Sequence, residues 1–413
     1  MSLIRYVKTA RGLLPYSLFD FANSSFVLII HAYLFPLYFK NVLLHGRPDG
    51  DALWGIVFSC SAILAALSAP FFGRAADGHG RYRVFCIAAI SSFVTAVGLS
   101  FAVGRTFSLV VLAFLCANLC FYLTANIYDS LLNIVSEGKE RSLFSGFAWG
   151  FGYLGGVLCF FLVYALVIRH GSASPLPYLA MALFYAIFGT WSLFVLRPYI
   201  KGPVRRQRIG FREMLRALDG PRRRLLLGYL LISDCISAII LFTSIYASNS
   251  LHLSDRAIGG WLLLTQLLAF PNTFLVSSLT RRLGIVKTLS ACVGIWVLIL
   301  ALLIQTRVVA FGLIALLTSL VIGTTQSLTR AQYSAYVAPL RTSEMFGWYS
   351  VATESASIAA PIVFGLISGL FHSQRVAMGA LAIPLLVGLV LVWRGTSLLE
   401  SRLEYGMART FPK

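Results

Sequence analysis

Long apolar segments follow one another along nearly the whole chain, separated by short polar or glycine-containing stretches. A helix that crosses the hydrocarbon core of a bilayer needs about 20 predominantly apolar residues. Twelve segments meet this requirement, which predicts an all-α polytopic membrane protein with twelve transmembrane helices. These segments are 16–39, 53–73, 83–103, 107–133, 143–168, 176–197, 224–249, 257–279, 286–305, 308–333, 345–370 and 376–394.

The composition excludes a soluble protein. Of the 413 residues, 58% are hydrophobic and 12% are charged, whereas about 25% of the residues of a soluble domain are charged. So few charged side chains cannot cover the surface of separate soluble domains, and the apolar surface must therefore face lipid. The seven cysteines all fall inside the predicted helices and lack Cys-x-x-Cys spacing, so we expect neither disulfides nor a metal site.

Positive charge is distributed unevenly between the predicted loops. The net charge is +19, and 27 of the 34 Lys and Arg residues lie at the chain ends and in the even-numbered loops. Because cytoplasmic loops carry an excess of Lys and Arg, we expect both termini in the cytoplasm. A basic chain can also bind nucleic acid, but these residues lie at the membrane face with few aromatic residues between them. We therefore expect the lipid bilayer, and no nucleic acid, as the partner.

A basic stretch divides the predicted helices six and six. It runs from Arg197 to Arg224 and contains glycine and proline residues that interrupt helices. The sequence thus predicts an N-terminal six-helix bundle (1–197), a cytoplasmic linker (198–223) and a C-terminal six-helix bundle with a short cytoplasmic tail (224–413).

The two bundles carry a weak internal repeat at an offset near 200 residues. Internal repeats are typical of secondary transporters, so we expect two pseudo-symmetric halves. The corresponding pairs are Gly146 and Gly347, Asp129 and Arg330, and Gly80 and Gly284.

The most specific motif lies between the second and third predicted helices. Gly73, Asp77, Gly80, Arg81 and Arg83 are spaced as in the loop signature of the major facilitator superfamily, which this segment closely resembles. Glycine permits a tight turn, the acid can accept hydrogen bonds at a helix N-terminus, and the arginines hold the loop on the cytoplasmic side.

The resemblance to the superfamily implies how this loop works. The acid is expected to dock near the start of the eleventh helix, here Glu344 to Gly347, and to close the cytoplasmic side. It also implies that the first, fourth, seventh and tenth helices line a central cavity. The second-half copy has Arg281 where Asp77 would stand, so only the first half carries the full motif.

A narrower resemblance is to the UMF1 branch, which is related to Atg22-type vacuolar effluxers. It implies efflux of neutral amino acids, although this branch as a group does not fix a substrate. The matching segments are Tyr16 to Phe26, Phe35 to Lys40, Gly323 to Arg330, Glu344 to Gly347, and Pro361 to Gly365.

Four acids fall inside predicted membrane segments, where a carboxylate costs about 2.5–3.5 kcal/mol at the bilayer centre. Such side chains should face the bundle interior or water. Other polar residues share a helical face with them on the first, fourth and tenth segments. The candidates for a substrate cavity or for coupling are Asp20, Asn23, Ser24, His31, Asn118, Tyr122, Asn126, Asp129, Asp234, Gln326, Arg330 and Glu354.

Asp129 and Arg330 occupy equivalent positions near the cytoplasmic ends of the fourth and tenth segments. We hypothesise that they pair across the halves as an inner gate. A structural pair within one half, or two residues that reach the interface separately, are the alternatives.

Three acids, Asp20, Asp234 and Glu354, are candidates for proton coupling, because a protonated acid crosses a closing cavity at lower cost. Each could equally cap or bond a neighbouring helix. His31 is too isolated to be a ligand, and we expect it to form a hydrogen bond within the first helix face.

Glycines in the fifth segment, from Gly150 to Gly155, match the dinucleotide-binding spacing, but no strand precedes them. We interpret them as a surface for close helix packing. Gly365 and Gly369 on the eleventh segment predict a similar contact between the halves.

These features together favour a secondary transporter that moves a small polar solute by alternating access, with proton-coupled efflux of amino acids as the first hypothesis. A non-transporting sensor of the same fold, and an uptake permease for sugars or peptides, are the alternatives. The metalloprotease, hydrolase and Walker A motifs are absent from the sequence, so we expect neither an enzyme nor a cofactor. We expect a monomer in a bacterial cytoplasmic (inner) membrane.

Overall fold

The computed structural model describes residues 3–136, 141–200, 220–305, 311–337 and 359–410, which are helical apart from short connections. The helices fall in all twelve predicted segments. They are α1 (Leu3–Phe26, continued by Val27–Ala32, Leu34–Leu37 and Tyr38–Leu43), α2 (Gly50–His79), α3 (Arg81–Ala102), α4 (Phe107–Val135), α5 (Arg141–His170), α6 (Pro175–Leu196), α7 (Gly220–Asn249), α8 (Asp255–Leu283), α9 (Ile285–Gln305), α10 (Phe311–Val337), α11 (Ala359–Phe371) and α12 (Gln374–Ala380 and Ala382–Thr410).

Two helix breaks repeat between the halves. A single residue separates α2 from α3, and it is Gly80 with φ +98°; Gly284 with φ +81° separates α8 from α9 in the same way. A positive φ is readily adopted only by glycine, so these glycines reverse the chain direction without a longer loop. The end of the molecule that carries both breaks is called the α2–α3 end below, and the opposite one the α1–α2 end.

Hydroxyl side chains begin three of the helices. Ser174 accepts from the backbone N–H of Leu176 at 3.3 Å at the start of α6. Ser254 starts α8 and Ser373 starts α12 in the same manner. Such caps satisfy backbone donors that the first turn leaves unpaired.

The first helix is less regular than the sequence predicts. Its second part contains two π-helical turns, Val27–Ala32 and Tyr38–Leu43, on either side of a break at Tyr33. π turns widen a helix locally and occur at functional sites. Here they carry His31 and Lys40, both of which are buried.

Packing contacts group the helices within and across the halves. In the first half α1 packs against α5 and α6, and α4 packs against α2 and α3; in the second half α12 packs on α7 and α10 on α8 and α9. The halves meet where α5 contacts α8 and α10. Residues 201–219, which make up most of the predicted linker, lie outside the described residues, so the division at 198–223 stays a prediction.

Three glycines of α5 carry the packing that their spacing predicts. A methyl group added at Gly152 would lie 2.5 Å from the Ser24 hydroxyl oxygen, and one at Gly155 would lie 2.0 Å from the carbonyl oxygen of Phe21. At Gly150 it would lie 3.1 Å from the carbonyl oxygen of Phe270 on α8. The glycines therefore let α5 pack closely against α1 on one side and α8 on the other.

On α11 the prediction holds for one glycine and is wrong for the other. A methyl group at Gly365 would lie 2.8 Å from the Cα atom of Ala52, so α11 touches α2 across the halves. At Gly369 no atom of the described residues would lie within 4 Å of it. Gly369 lies one turn beyond the contact.

The outer surface of the bundle is apolar. Among the described residues, eleven helices are long and apolar enough to cross a membrane, and α11 adds a shorter apolar helix from Ala359. Large apolar side chains are exposed to the exterior on many of these helices, as expected of a surface that faces lipid. Examples are Leu67, Phe71, Phe194, Leu370 and Ile383.

Candidate functional site

A cavity of about 310 Å³ lies between the two halves. Seven helices, α1, α4, α5, α7, α8, α9 and α10, form its wall, and Phe58 of α2 completes it. The cavity is at the small end of the range for ligand pockets, about 300–1,000 Å³. Its aromatic lining comprises Phe58, Phe121, Tyr122, Tyr128, Trp149, Tyr153, Trp261 and Trp296.

Arg330 of α10 joins the two halves at the α2–α3 end of this cavity. Its Nη1 atom lies 3.1 Å from an oxygen of Asp129 on α4, and both Nη atoms lie 3.3 Å from one oxygen of Asp20 on α1. Its Nε atom donates to the Ser145 hydroxyl at 2.8 Å, and Nη2 donates to the Ser145 backbone carbonyl at 3.1 Å. One side chain of the second half is thus held by three helices of the first.

Three aromatic rings surround the guanidinium. Its carbon lies 5.5 Å from the ring centre of Trp149, 5.8 Å from that of Tyr16 and 5.9 Å from that of Tyr128. The two tyrosine rings stack with centres 4.4 Å apart. Aromatic faces attract cations within about 6 Å, so the rings add to the attraction of the two carboxylates.

Eight of the predicted site residues line the cavity. Besides Asp20, Asp129 and Arg330 they are Asn23, Ser24, His31, Tyr122 and Gln326. On α4 and α10 the cavity face carries Tyr122, Asp129, Gln326 and Arg330, whereas the predicted Asn118 and Asn126 of α4 do not line the cavity. Helices α5 and α8 add lining residues that were not predicted from the sequence.

His31 pairs with a different helix from the one expected. Its Nε2 atom lies 2.7 Å from the Asn118 amide oxygen on α4, and the Asn118 amide nitrogen donates to the Ser61 hydroxyl of α2 at 2.6 Å. The expected bond within the first helix face is therefore wrong. The π turn directs His31 toward α4. Asn118 forms hydrogen bonds with His31 and Ser61 and does not line the cavity.

Asp234 does not line the cavity, so its expected place among the cavity residues is wrong. Its two oxygens accept the backbone N–H of Ala360 of α11 at 3.1 and 2.9 Å, which is the alternative of a bond to a neighbouring helix. The cavity wall of α7 is formed by neighbours such as Ser233 and Ser237. Asn126 is 3% exposed and is also absent from the lining, and Glu354 lies outside the described residues.

At the α2–α3 end, the motif forms an ion pair across the helix break. The Arg81 Nε atom donates to the Asp77 carboxylate at 3.1 Å, and both side chains are largely buried, whereas Arg83 is exposed. Gly73 is buried within α2, and Gly80 makes the break. The expected docking partner of Asp77, residues 344–347, lies outside the described residues.

A second buried cluster, which we call the outer cluster, lies at the α1–α2 end. Lys40 of α1 forms a buried ion pair with Asp51 of α2. The other Asp51 oxygen accepts from the Ser368 hydroxyl of α11 at 3.0 Å and from the Gln374 side-chain amide of α12 at 2.7 Å. Ser250, just beyond α7, donates to Gln374 at 2.7 Å. Two residues of the first half thus meet three of the second.

The outer cluster was not predicted from the sequence. Lys40 and Asp51 lie within a few residues of predicted helix ends, where charged side chains normally reach water. One signal was available in the sequence. Lys40 is one of the few basic residues in the odd-numbered loops, whereas most Lys and Arg residues lie in the even-numbered loops and at the chain ends.

A sequence profile of the Major Facilitator Superfamily matches residues 17–339, well over half of the chain. The chain belongs to the major facilitator superfamily. Its cavity between two groups of helices and its Gly80 loop are consistent with this membership.

Among major facilitator relatives, an uncharacterized MFS-type transporter (YxiO) of Bacillus subtilis is 24% identical over 405 residues, covering 91% of this chain and 92% of the relative. Autophagy-related protein 22 of Pichia angusta is 22% identical over 183 residues, which is 41% of this chain and 33% of that protein. The human organic anion transporter MFSD10 is 17% identical and superposes with a TM-score of 0.72, covering 93% of this chain and 99% of that one. The superposition shows a common major facilitator fold.

Proposed function

We propose that this protein is a secondary transporter that moves a small polar solute across a membrane through the central cavity by alternating access. The observation that carries the proposal is the position of Arg330, which lies on the cavity wall and is held by the opposite half. A purely structural ion pair would not need to border a cavity.

Alternating access requires contacts between the halves that form and break at each end. The Arg330 cluster and the outer cluster lie at opposite ends, and each joins residues 1–197 to residues 224–413. Transporters of this kind move largely by rocking one repeat against the other around the site. We propose that one cluster opens while the other stays closed, with both termini in the cytoplasm.

Proton coupling is assigned to Asp20 and Asp129. These two carboxylates share the single guanidinium of Arg330, so a proton on either one removes an uncompensated charge. Asp234 is better explained by its bond to α11, because both of its oxygens already accept the Ala360 backbone N–H.

The proposed cargo is a small polar solute with an amino group, and the proposed direction is efflux. The support is the resemblance of the first, tenth and eleventh helices to the UMF1 and Atg22-type branch, together with the partial match to autophagy-related protein 22. A sensor of the same fold would bind the solute without moving it. We propose a monomer in a bacterial inner membrane.

The test uses proteoliposomes loaded with a bacterial metabolite extract, with loss from the lumen followed by mass spectrometry after the medium is acidified. We expect the wild type to release a subset of amino compounds and D129N to release them at least about tenfold more slowly. The control D49N should match the wild type, because Asp49 is exposed in an outer loop. Release that equals that of empty liposomes would refute transport. Release by the wild type that does not depend on the pH gradient would refute the coupling.

A further inference from the structure

The net charge of the cavity is negative. Of the lining residues that the structure describes, three are charged, namely Asp20, Asp129 and Arg330, which gives a sum of −1 when both acids are ionised. An unbalanced charge inside the membrane is costly unless a counter-charge occupies the site. The counter-charge is either a proton or a positively charged cargo.

Arg330 is not available to bind an anion. A guanidinium has five N–H donors in a fixed fork, and here all three nitrogens already donate to Asp20, Asp129 or Ser145. A cargo carboxylate would have to displace an acid that belongs to the protein. The released acid would then be unpaired next to the incoming anion.

Asp129 is the acid that is open to the cavity. Its side chain is 26% exposed, compared with 10% for Asp20. Arg330 contacts its Oδ1 atom, and among the described residues no hydrogen bond is formed to its Oδ2 atom. This oxygen is placed to accept from a cargo.

Unpartnered acceptors also line the cavity. Among the described residues, the side-chain oxygens of Asn23 and Gln266 are buried without a hydrogen-bond partner, and so is the hydroxyl of Tyr153, whose residue is 5% exposed. The indole N–H of Trp149 is an unpartnered donor in the same lining, so unpartnered acceptors outnumber donors there. A buried polar atom without a partner costs about 1–3 kcal/mol. A primary ammonium group carries three N–H donors and no acceptor, which complements this excess of acceptors.

Resting on the proposed function, we infer that the cavity selects a cationic primary amine with an aromatic or apolar body, and discriminates against zwitterions and anions. The ammonium group binds the open oxygen of Asp129, and the body packs on the aromatic wall. Aromatic faces attract such cations as well as their apolar parts.

Three compounds with one aromatic skeleton test this: tyramine is a cation, tyrosine a zwitterion and 4-hydroxyphenylacetate an anion. Binding to the full chain in lipid nanodiscs is measured by thermal shift and by the fluorescence of the cavity tryptophans. We expect tyramine to bind at least about tenfold more tightly than tyrosine, which corresponds to about 1.4 kcal/mol, and the anion to bind most weakly. The D129N variant should lose this preference.

D129N also removes a partner of Arg330, so its effect on binding could arise from the loss of that contact. A second pair of variants changes the cavity charge without removing a partner of Arg330. Gln326 lines the cavity one helical turn from Arg330. Q326K brings the cavity charge to zero and should abolish the preference for tyramine, whereas Q326L should retain it. Tight binding of tyrosine or of the anion, tyramine binding weaker than about 10 mM, or an unchanged preference in Q326K would overturn the inference. The release experiment with extract-loaded proteoliposomes tests separately whether the protein transports a solute.

Discussion

Arg330 is the residue through which the two halves interact most closely beside the cavity. It is 4% exposed and contacts two acids and Ser145. Desolvation offsets much of the attraction in a buried ion pair, but removing one partner leaves an uncompensated buried charge and costs about 3–5 kcal/mol. An exposed ion pair contributes about 0–1 kcal/mol.

This contrast predicts the stability of two matched variants. R330M should lower the free energy of unfolding by about 3–5 kcal/mol, because Asp20 and Asp129 lose their shared partner. R47M should change it by less than about 1 kcal/mol, because Arg47 and Asp49 form an exposed pair. The melting temperature of each purified variant provides the measurement, and equal losses in the two variants would contradict the structural account of this cluster.

The equivalence of Asp129 and Arg330 in the repeat was enough to predict a pair from the sequence, and their atoms do lie 3.1 Å apart. The contact of Arg330 with Asp20 and Ser145 could not be predicted, because it depends on how α1 and α5 are positioned relative to α10. For Asp234 the helical period identified an inward residue but could not distinguish the cavity from the neighbouring helix α11.

At the scale of single helices, α5 determines how closely the first half packs against the cavity. Its glycine face touches α1, which carries Asp20, and α8 of the other half. The spacing of these glycines predicted close packing correctly. The π turns of α1 were not predictable, because the mostly apolar pattern around His31 and Lys40 fits an ordinary α-helix equally well.

An alanine at the tightest glycine should disturb this helix pair. In G155A the added methyl group would lie 2.0 Å from the Phe21 carbonyl oxygen, so the helices must separate, at a cost of about 1–3 kcal/mol or more. The control is G98A on α3, where nothing lies within 4 Å and alanine favours the helix. We expect a lower melting temperature and slower transport in G155A alone. Wild-type behaviour in G155A would disprove the tight contact.

At the scale of the whole molecule, the described residues form an ionic cluster between the halves at each end and a cavity between the two clusters. The twelve helices and the superfamily fold followed from apolar length and one loop motif, because lipid constrains the helices strongly. The outer cluster did not follow, because Lys40 and Asp51 become buried only when α11 and α12 cover them.

The central claim is that the two clusters open alternately, and the distances between the halves at both ends test it most directly. Spin labels at Arg47 and His372 would report the α1–α2 end, and labels at His79 and Lys287 the α2–α3 end, since all four residues are exposed. The labels are introduced as cysteines in a background without the native ones. Pulsed dipolar spectroscopy then compares the wild type, D51N and the control D49N.

Because D51N weakens the outer cluster, we expect it to lengthen the distance between positions 47 and 372 and to shorten that between 79 and 287. We expect D49N to change neither distance. Identical distances in D51N and the wild type, or lengthening at both ends together, would contradict the alternate opening of the two clusters.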